Sequence, residues 1–210
     1  MEARAPAHRP GTGFWSNNAD ENFFAWLCVV PEGRMAGTVT MNSETVEVEG
    51  SGYHDHNWGN VPMDVLLGRW YWGRGEIDGA LVVLATVWFA EAYGATETHT
   101  VMVARDGEKL LTLVNDEGQH LDGNAMVSPD TGRRVNSDMI IAAADGTGQV
   151  RFRGGQIVAT SRPDRSNAQF LSSYTRFAAT TTLDFVIDGK LLQGSGPSVL
   201  EFIDFYVPKG

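Results

Sequence analysis

The chain has 210 residues, which suits one large β domain or two small ones. Its 16 basic and 26 acidic residues give a net charge of −10, and no segment is basic enough to neutralise a run of phosphates, which argues against nucleic acid as a partner. Apolar runs such as 23–30 and 80–90 are shorter than the roughly 20 residues of a membrane span. A single cysteine, Cys28, permits no internal disulfide, so we expect a cytoplasmic location for the protein. We expect Cys28 itself to be a small core residue.

Short segments rich in Val, Thr, Phe, Tyr and Trp follow one another along the chain, separated by many of its 24 glycines and 8 prolines. Predicted strands are 23–30, 37–41, 44–49, 52–58, 67–77, 80–88, 98–105, 109–114, 149–153, 156–161, 172–180, 182–187 and 198–206. Hairpin turns are predicted at Asn42-Ser43, Asp106-Gly107 and Asp188-Gly189. So many short antiparallel strands predict an all-β protein, either a sandwich or a barrel.

Two regions interrupt this pattern and are predicted as loops, at 115–137 and 162–167. The first is long enough to be a domain boundary or a lid. A division near residues 93–96 gives two predicted domains, a partial N-terminal sandwich at 1–94 and a barrel at 95–210.

The segment Tyr53-His54-Asp55-His56-Asn57-Trp58-Gly59 has an unusual composition for a core strand. Side chains alternate between the two faces of a strand, so His54, His56 and Trp58 share one face, and Tyr53, Asp55 and Asn57 share the other. We expect the histidine face to line a site, because imidazole exchanges protons near neutral pH.

The next predicted strand adds an aromatic wall, with Trp70, Trp72 and Arg74 on one face. Aromatic surface with a few polar groups suits an apolar ligand. Two alternatives stay open at this point: Trp70 and Trp72 can be plain core residues, and each histidine can be hydrogen-bonded scaffolding.

A metal site was weighed, because a His-x-His pair on a strand often begins one. The carboxylate that β-barrel metalloenzymes place four or five residues later is absent, since those positions are Asn60 and Val61. His99 or His120 would have to supply a third ligand. We therefore predict no metal.

The string Gly-Ser-Gly-Tyr-His-Asp-His-Asn-Trp-Gly at 50–59, with Trp-Tyr-Trp-Gly-Arg at 70–74, resembles the carotenoid 1,2-hydratase (hydroxyneurosporene synthase) family of lipocalin-like, AttH-type proteins. This family includes fungal decalin-forming Diels–Alderases and kievitone hydratase. The segments 174–177 and 199–206 resemble the closing strands of its second barrel. The resemblance implies cofactor-free chemistry on hydrophobic substrates, in a pocket between two β domains that holds His56 and Trp58.

Two departures from the family bear on these expectations. Family members are usually longer, with the motif near mid-chain, so we expect a truncated two-barrel architecture. Either a homodimer completes its open edge, or the sequence is a fragment of a longer protein. The hydratases carry a Tyr-Asp pair on the strand after the aromatic one, its Asp being the proposed proton donor. This chain has Ala85 and Thr86 there, so we expect hydration to be lost.

The sequence therefore predicts a cofactor-independent cyclase or isomerase, of which a Diels–Alderase-like enzyme is one form, acting on a hydrophobic polyene, terpenoid or polyketide-derived substrate. The predicted catalytic residues are His56, as acid/base, with His54 and Asp55 as further candidates. The predicted substrate-binding residues are Tyr53, Trp58, Trp70, Trp72 and Arg74. A non-catalytic lipocalin-like carrier and a hydratase of the same family are the alternatives.

Overall fold

The computed structural model describes residues 1–17, 22–129, 132, 134–161 and 170–208. Its strands are β1 (Glu2–Ala3), β2 (Phe14–Asn17), β3 (Asn22–Met41), β4 (Glu44–Gly59), β5 (Leu67–Ile77), β6 (Ala80–Phe89), β7 (Glu97–Arg105), β8 (Glu108–Val114), β9 (Gly118–Asp122), β10 (Ala125–Val127), β11 (Arg134–Asn136), β12 (Asp138–Ala143), β13 (Gly148–Ser161), β14 (Phe170–Ile187) and β15 (Lys190–Pro208). One short helix, α1 (Met63–Leu66), precedes β5. No helix in these ranges is long and apolar enough to span a membrane. The all-β prediction is confirmed.

Nine strands form one antiparallel sheet in the order β8-β7-β6-β5-β15-β14-β13-β12-β9. The sheet curls until β9 contacts β7, which makes a nearly closed barrel. Curling of this kind buries one face of a large sheet without a second sheet.

A smaller sheet packs on the outside of this barrel. Its centre is β3, which pairs with β1 and β2 along one edge and with β4 along the other. The turn between β3 and β4 is at Asn42 and Ser43, both with positive φ, as predicted. The four strands predicted between 23 and 58 are two continuous strands, because the β3–β4 ladder runs through the intervening glycines.

Two hydrophobic cores flank strand β6. Val82 and Leu84 point into the barrel, whereas Leu81, Val83 and Ala85 face the small sheet. All ten residues of β6 are buried, which explains why its sequence is almost entirely apolar and does not alternate with polar residues. Full burial of one aliphatic side chain stabilises a fold by about 1.5–3 kcal/mol, so β6 joins the two layers strongly.

The prediction of a loop at 115–137 is wrong, because this region contains a 3-10 turn (Asn115–Glu117) and the strands β9, β10 and β11. Their polar composition reflects positions at a sheet edge, where β9 pairs only with β12 among the described residues. The loop predicted at 162–167 lies outside the described residues. The chain passes from the small sheet to the barrel between Gly59, the end of β4, and Leu67, the start of β5. The predicted domain division near residue 94 stays a prediction.

Candidate active site

A cavity of about 540 Å³ lies between the inner face of the β3–β4 hairpin and the outer wall of the barrel. Its volume is typical of small-molecule sites. Ten of its lining residues are aromatic or aliphatic, namely Trp15, Phe24, Trp26, Met63, Trp70, Tyr71, Trp72, Ala85, Val87 and Val199. The other six are polar or carry a hydroxyl, namely Tyr53, Asp55, Asn57, Arg74, Arg176 and Glu201. An apolar cavity with a few polar groups can hold a hydrophobic molecule in a fixed orientation.

Asp55 is held in place by two donors from the hairpin. The Tyr53 hydroxyl and the Trp26 indole Nε1 both donate to Oδ2 of Asp55, each at 2.9 Å. Tyr53 and Asp55 are two residues apart on β4 and so point to the same face, while Trp26 comes from the neighbouring strand β3. Hydrogen bonds to an ionised acceptor are about twice as strong as neutral ones, so this carboxylate is well oriented.

The Tyr53 hydroxyl stays protonated because burial, first of all, raises its pKa far above the ordinary value. The neighbouring Cys28 and Asp55 raise it further. Cys28 is fully buried beside them, and burial raises the pKa of its thiol to about 12. The prediction of a small core cysteine is confirmed, and Tyr53 acts in this site as a donor.

Arg74 carries positive charge into the cavity from the barrel side. Its Nε donates to the carbonyl oxygen of Pro31 at 2.7 Å, which ties β5 to β3. Its guanidinium carbon lies 5.9 Å from the centre of the Tyr53 ring. Arg176 is paired with Glu201, whereas Arg74 has no carboxylate partner among the described residues. The cavity thus has an anion, Asp55, on one wall and a cation, Arg74, on the other.

The predicted substrate-binding residues Tyr53, Trp70, Trp72 and Arg74 line the cavity, as does Asp55. The remaining three predicted residues, His54, His56 and Trp58, do not.

The alternation of β4 is as predicted, but the cavity lies on the face opposite to the one expected. His54 and His56 are exposed, and the His56 ring lies 5.1 Å from the Trp58 ring on the outer face. Alternation groups the residues of a strand by face, but the neighbouring layer decides which face is inside. A catalytic role for the histidines stays a prediction.

Several cavity residues were missed from the sequence. Trp15, Phe24 and Trp26 come from β2 and β3, and their rings contact one another at 5.9–6.0 Å between centroids. The one clue in the sequence was Trp26, which pairs with Asn57 in the β3–β4 hairpin and so lies beside the Tyr53–Asn57 segment. Without knowledge of how β3 pairs with β4, Trp26 is indistinguishable from an ordinary core residue.

A separate polar cluster lies on the barrel strands β7 and β9, where Glu97 is exposed, His120 is half-buried and His99 is buried. Glu97 approaches Nδ1 of His120 at 3.3 Å and Nδ1 of His99 at 3.6 Å. Burial raises the pKa of Glu97, but the hydrogen bond from His120 and the nearby His99 ring outweigh it and lower the pKa to about 2. The structure does not bring this cluster to the exposed His54 and His56. In the described ranges, no group of three or more His, Cys, Asp or Glu residues could hold a metal ion.

Comparison with known proteins identifies the family of this chain. The model of the carotenoid hydratase CrtC family matches residues 14–126, which is more than half of the chain. The chain belongs to the CrtC family. This confirms the resemblance noted for residues 50–59 and 70–74, and the CrtC match covers the whole hairpin and the two barrel strands β5 and β6.

Two curated relatives match shorter segments of this CrtC family member. The hydroxyneurosporene dehydrogenase of Chlorobaculum tepidum is 40% identical over 55 residues, which cover 23% of this chain and 14% of the relative. The quinolone epoxide rearrangement protein penF of Penicillium thymicola is 27% identical over 79 residues, 37% of this chain and 21% of the relative. The matched segments are thus small parts of these relatives.

A solved structure supports the lipocalin-like fold of this CrtC chain. NE1406, an AttH-type protein of Nitrosomonas europaea, superposes with a TM-score of 0.67 at 16% identity. The match covers 98% of this chain but 60% of that one, so the chain spans less than two thirds of this longer structure.

Proposed function

We propose that the protein is a cofactor-independent cyclase or isomerase that rearranges a hydrophobic polyene, terpenoid or polyketide-derived molecule in the cavity between the hairpin and the barrel. One observation carries the proposal: an oriented carboxylate, Asp55, and a cation, Arg74, line the same largely aromatic cavity. The CrtC family and the epoxide-rearranging relative support this general type of reaction.

In the proposed reaction, Asp55 removes a proton from the substrate. The electron pair of the broken bond moves toward a substrate oxygen near Arg74, where the guanidinium stabilises the developing negative charge. Asp55 then returns the same proton to a different atom. Tyr53 and Trp26 orient the carboxylate throughout, and the product has the same composition as the substrate.

The aromatic wall contributes by confinement. Trp70 and Trp72 line the cavity from the barrel and Trp26 lines it from the hairpin, and flat rings from both layers favour a folded conformer of a flexible chain. Holding the reacting atoms in contact can lower the activation free energy of the reaction by several kcal/mol. The same ring faces can stabilise positive charge that develops along a polyene.

Hydration is the second candidate, because the matching family is described as a carotenoid hydratase. Ala85 and Thr86 stand where we expected the Tyr-Asp pair of the hydratases. Ala85 lines the cavity, and Thr86, at the position of the proton donor, is buried on the barrel side. Neither side chain can protonate an alkene. This favours the isomerising reaction.

The test is turnover of candidate polyenes, polyketides and quinolone epoxides by the pure protein in oxygen-18 water, followed by mass spectrometry. We expect a product isomeric with its substrate and free of label. A product heavier by one labelled water would establish the hydratase instead. Binding of these compounds without any turnover would identify a carrier.

A further inference from the structure

The outer face of the small sheet is an apolar stripe that the described part of the chain leaves exposed. Even-numbered residues of β4 from Val46 to Trp58 point to this face, together with their cross-strand partners on β3. The stripe, as we define it, consists of Phe14, Leu27, Met35, Val39, Met41, Val46, Val48, His54, His56 and Trp58, with Met1 lying over Gly33 and Gly52. Several members are strongly exposed, including Met41 at 70% and Val46 at 47%.

The opposite face of the projecting hairpin is polar. Thr38, Thr40, Thr45 and Glu47 point there, as does Glu49, which pairs with Arg34. Among the described residues on this face of β3 and β4, the titratable groups are the two histidines of the stripe and Glu44, beside the stripe at the hairpin tip. The segregation of apolar and charged residues is typical of a strand pair with one covered face.

We propose that a second copy of this chain covers the stripe, so that the two small sheets pack face to face in a homodimer. Sixteen residues of strand extend roughly 50 Å, and two to three strands are about 10–14 Å wide. The stripe therefore offers on the order of 500–700 Å² per copy, near the ~800 Å² per partner of a standard stable interface. The protein carries a charge of −10, and the stripe is the surface on which two copies meet with few opposed carboxylates.

The order of residues along β4 is self-complementary about Gly52. A two-fold axis there places Val46 of one copy over Trp58 of the other, since both are six residues from Gly52. It likewise places Val48 over His56, and Gly50 over His54. Each bulky ring then meets a small or aliphatic residue, which is the condition for close packing in an isologous interface. This inference is independent of the proposed reaction.

The first test is the mass of the pure protein in solution by light scattering. We expect a dimer for the natural sequence and a monomer for the variant Val39→Lys/Val46→Lys, a cross-strand pair in the stripe. The matched control is Thr40→Lys/Thr45→Lys, the adjacent pair on the polar face, which should stay dimeric. All four positions are exposed, so folding should be unchanged by circular dichroism. A monomeric natural protein, or a dimer that survives the stripe substitutions, overturns the proposal.

The second test fixes the geometry by cross-linking. Val48 and His56 are eight residues apart on one strand, roughly 26 Å, and cannot form a disulfide within one chain. The variant Val48→Cys/His56→Cys should be joined into a covalent dimer by a bismaleimide whose spacer is about 10 Å, the separation of two packed sheets and too short to join the two positions within one chain, while each single variant should not. Equal cross-linking of a single variant would contradict the two-fold axis at Gly52. The natural Cys28 is buried and should not interfere.

Discussion

At the scale of single residues, His8 shows how burial makes stability depend on pH. Its imidazole is fully buried, and its Nε2 lies 3.0 Å from the Thr100 hydroxyl, which ties the N-terminal segment to the barrel. Burial, with a smaller contribution from Lys109, lowers the pKa of His8 to about 4. The folded protein therefore keeps His8 neutral at pH values where the unfolded chain, with an ordinary pKa of 6.5, binds a proton.

The difference between the His8 pKa in the folded and the unfolded chain determines how stability changes with pH. Protonation favours the unfolded chain, so the contribution of His8 to stability is complete above pH 6.5 and declines as the pH falls toward 4. We expect His8 to lower the free energy of unfolding by about 2 kcal/mol between pH 7 and pH 5. Urea unfolding of the natural protein and of His8→Gln at both pH values measures this contribution. An identical pH dependence in the two proteins would contradict it.

At the scale of the strands, a buried ion pair holds β12 to β13. Asp138 is 2% exposed, and its Oδ2 accepts hydrogen bonds from Arg151 and from Asn124. Removing the cation leaves a buried carboxylate with incomplete compensation, which is costly in folded proteins. We expect Arg151→Met to lower the free energy of unfolding by about 3 kcal/mol.

A matched control for this change is available on the same strand. Arg153 is exposed and lies two residues away, so Arg153→Met should change stability by less than about 0.5 kcal/mol. Chemical denaturation of both variants gives the comparison. Equal effects would mean that the buried pair adds nothing specific to the barrel.

The strands also show what the sequence could predict. The turn at Asp106-Gly107 has positive φ at both residues, and β5 has the predicted bounds, because local steric preferences and apolar periodicity determine such features. The face of β4 that lines the cavity was not predictable in this way. Both of its faces carry aromatic residues, and only the packing of the hairpin on β5 and β6 places Asp55 inside and His56 outside.

At the scale of the whole molecule, the cavity exists because two layers meet. Residues from β2, β3 and β4 form one wall, and residues from β5, β6, β14 and β15 form the other. No contiguous segment therefore contains the site. The recognisable motif at 53–59 identified the family and one wall, while Trp26 and Arg176 could be found only from the assembled fold.

The central claim is that chemistry takes place on the Asp55 face of the hairpin, and two adjacent residues test it most directly. Asp55→Asn keeps the shape of the side chain but removes the proton acceptor, whereas His56→Ala alters the outer face. With any substrate that the natural protein converts, we expect Asp55→Asn to lower kcat about 100- to 10,000-fold and His56→Ala to leave it within about threefold. Loss of turnover in His56→Ala, with Asp55→Asn active and both variants folded, would contradict the account and place the reaction on the histidine face.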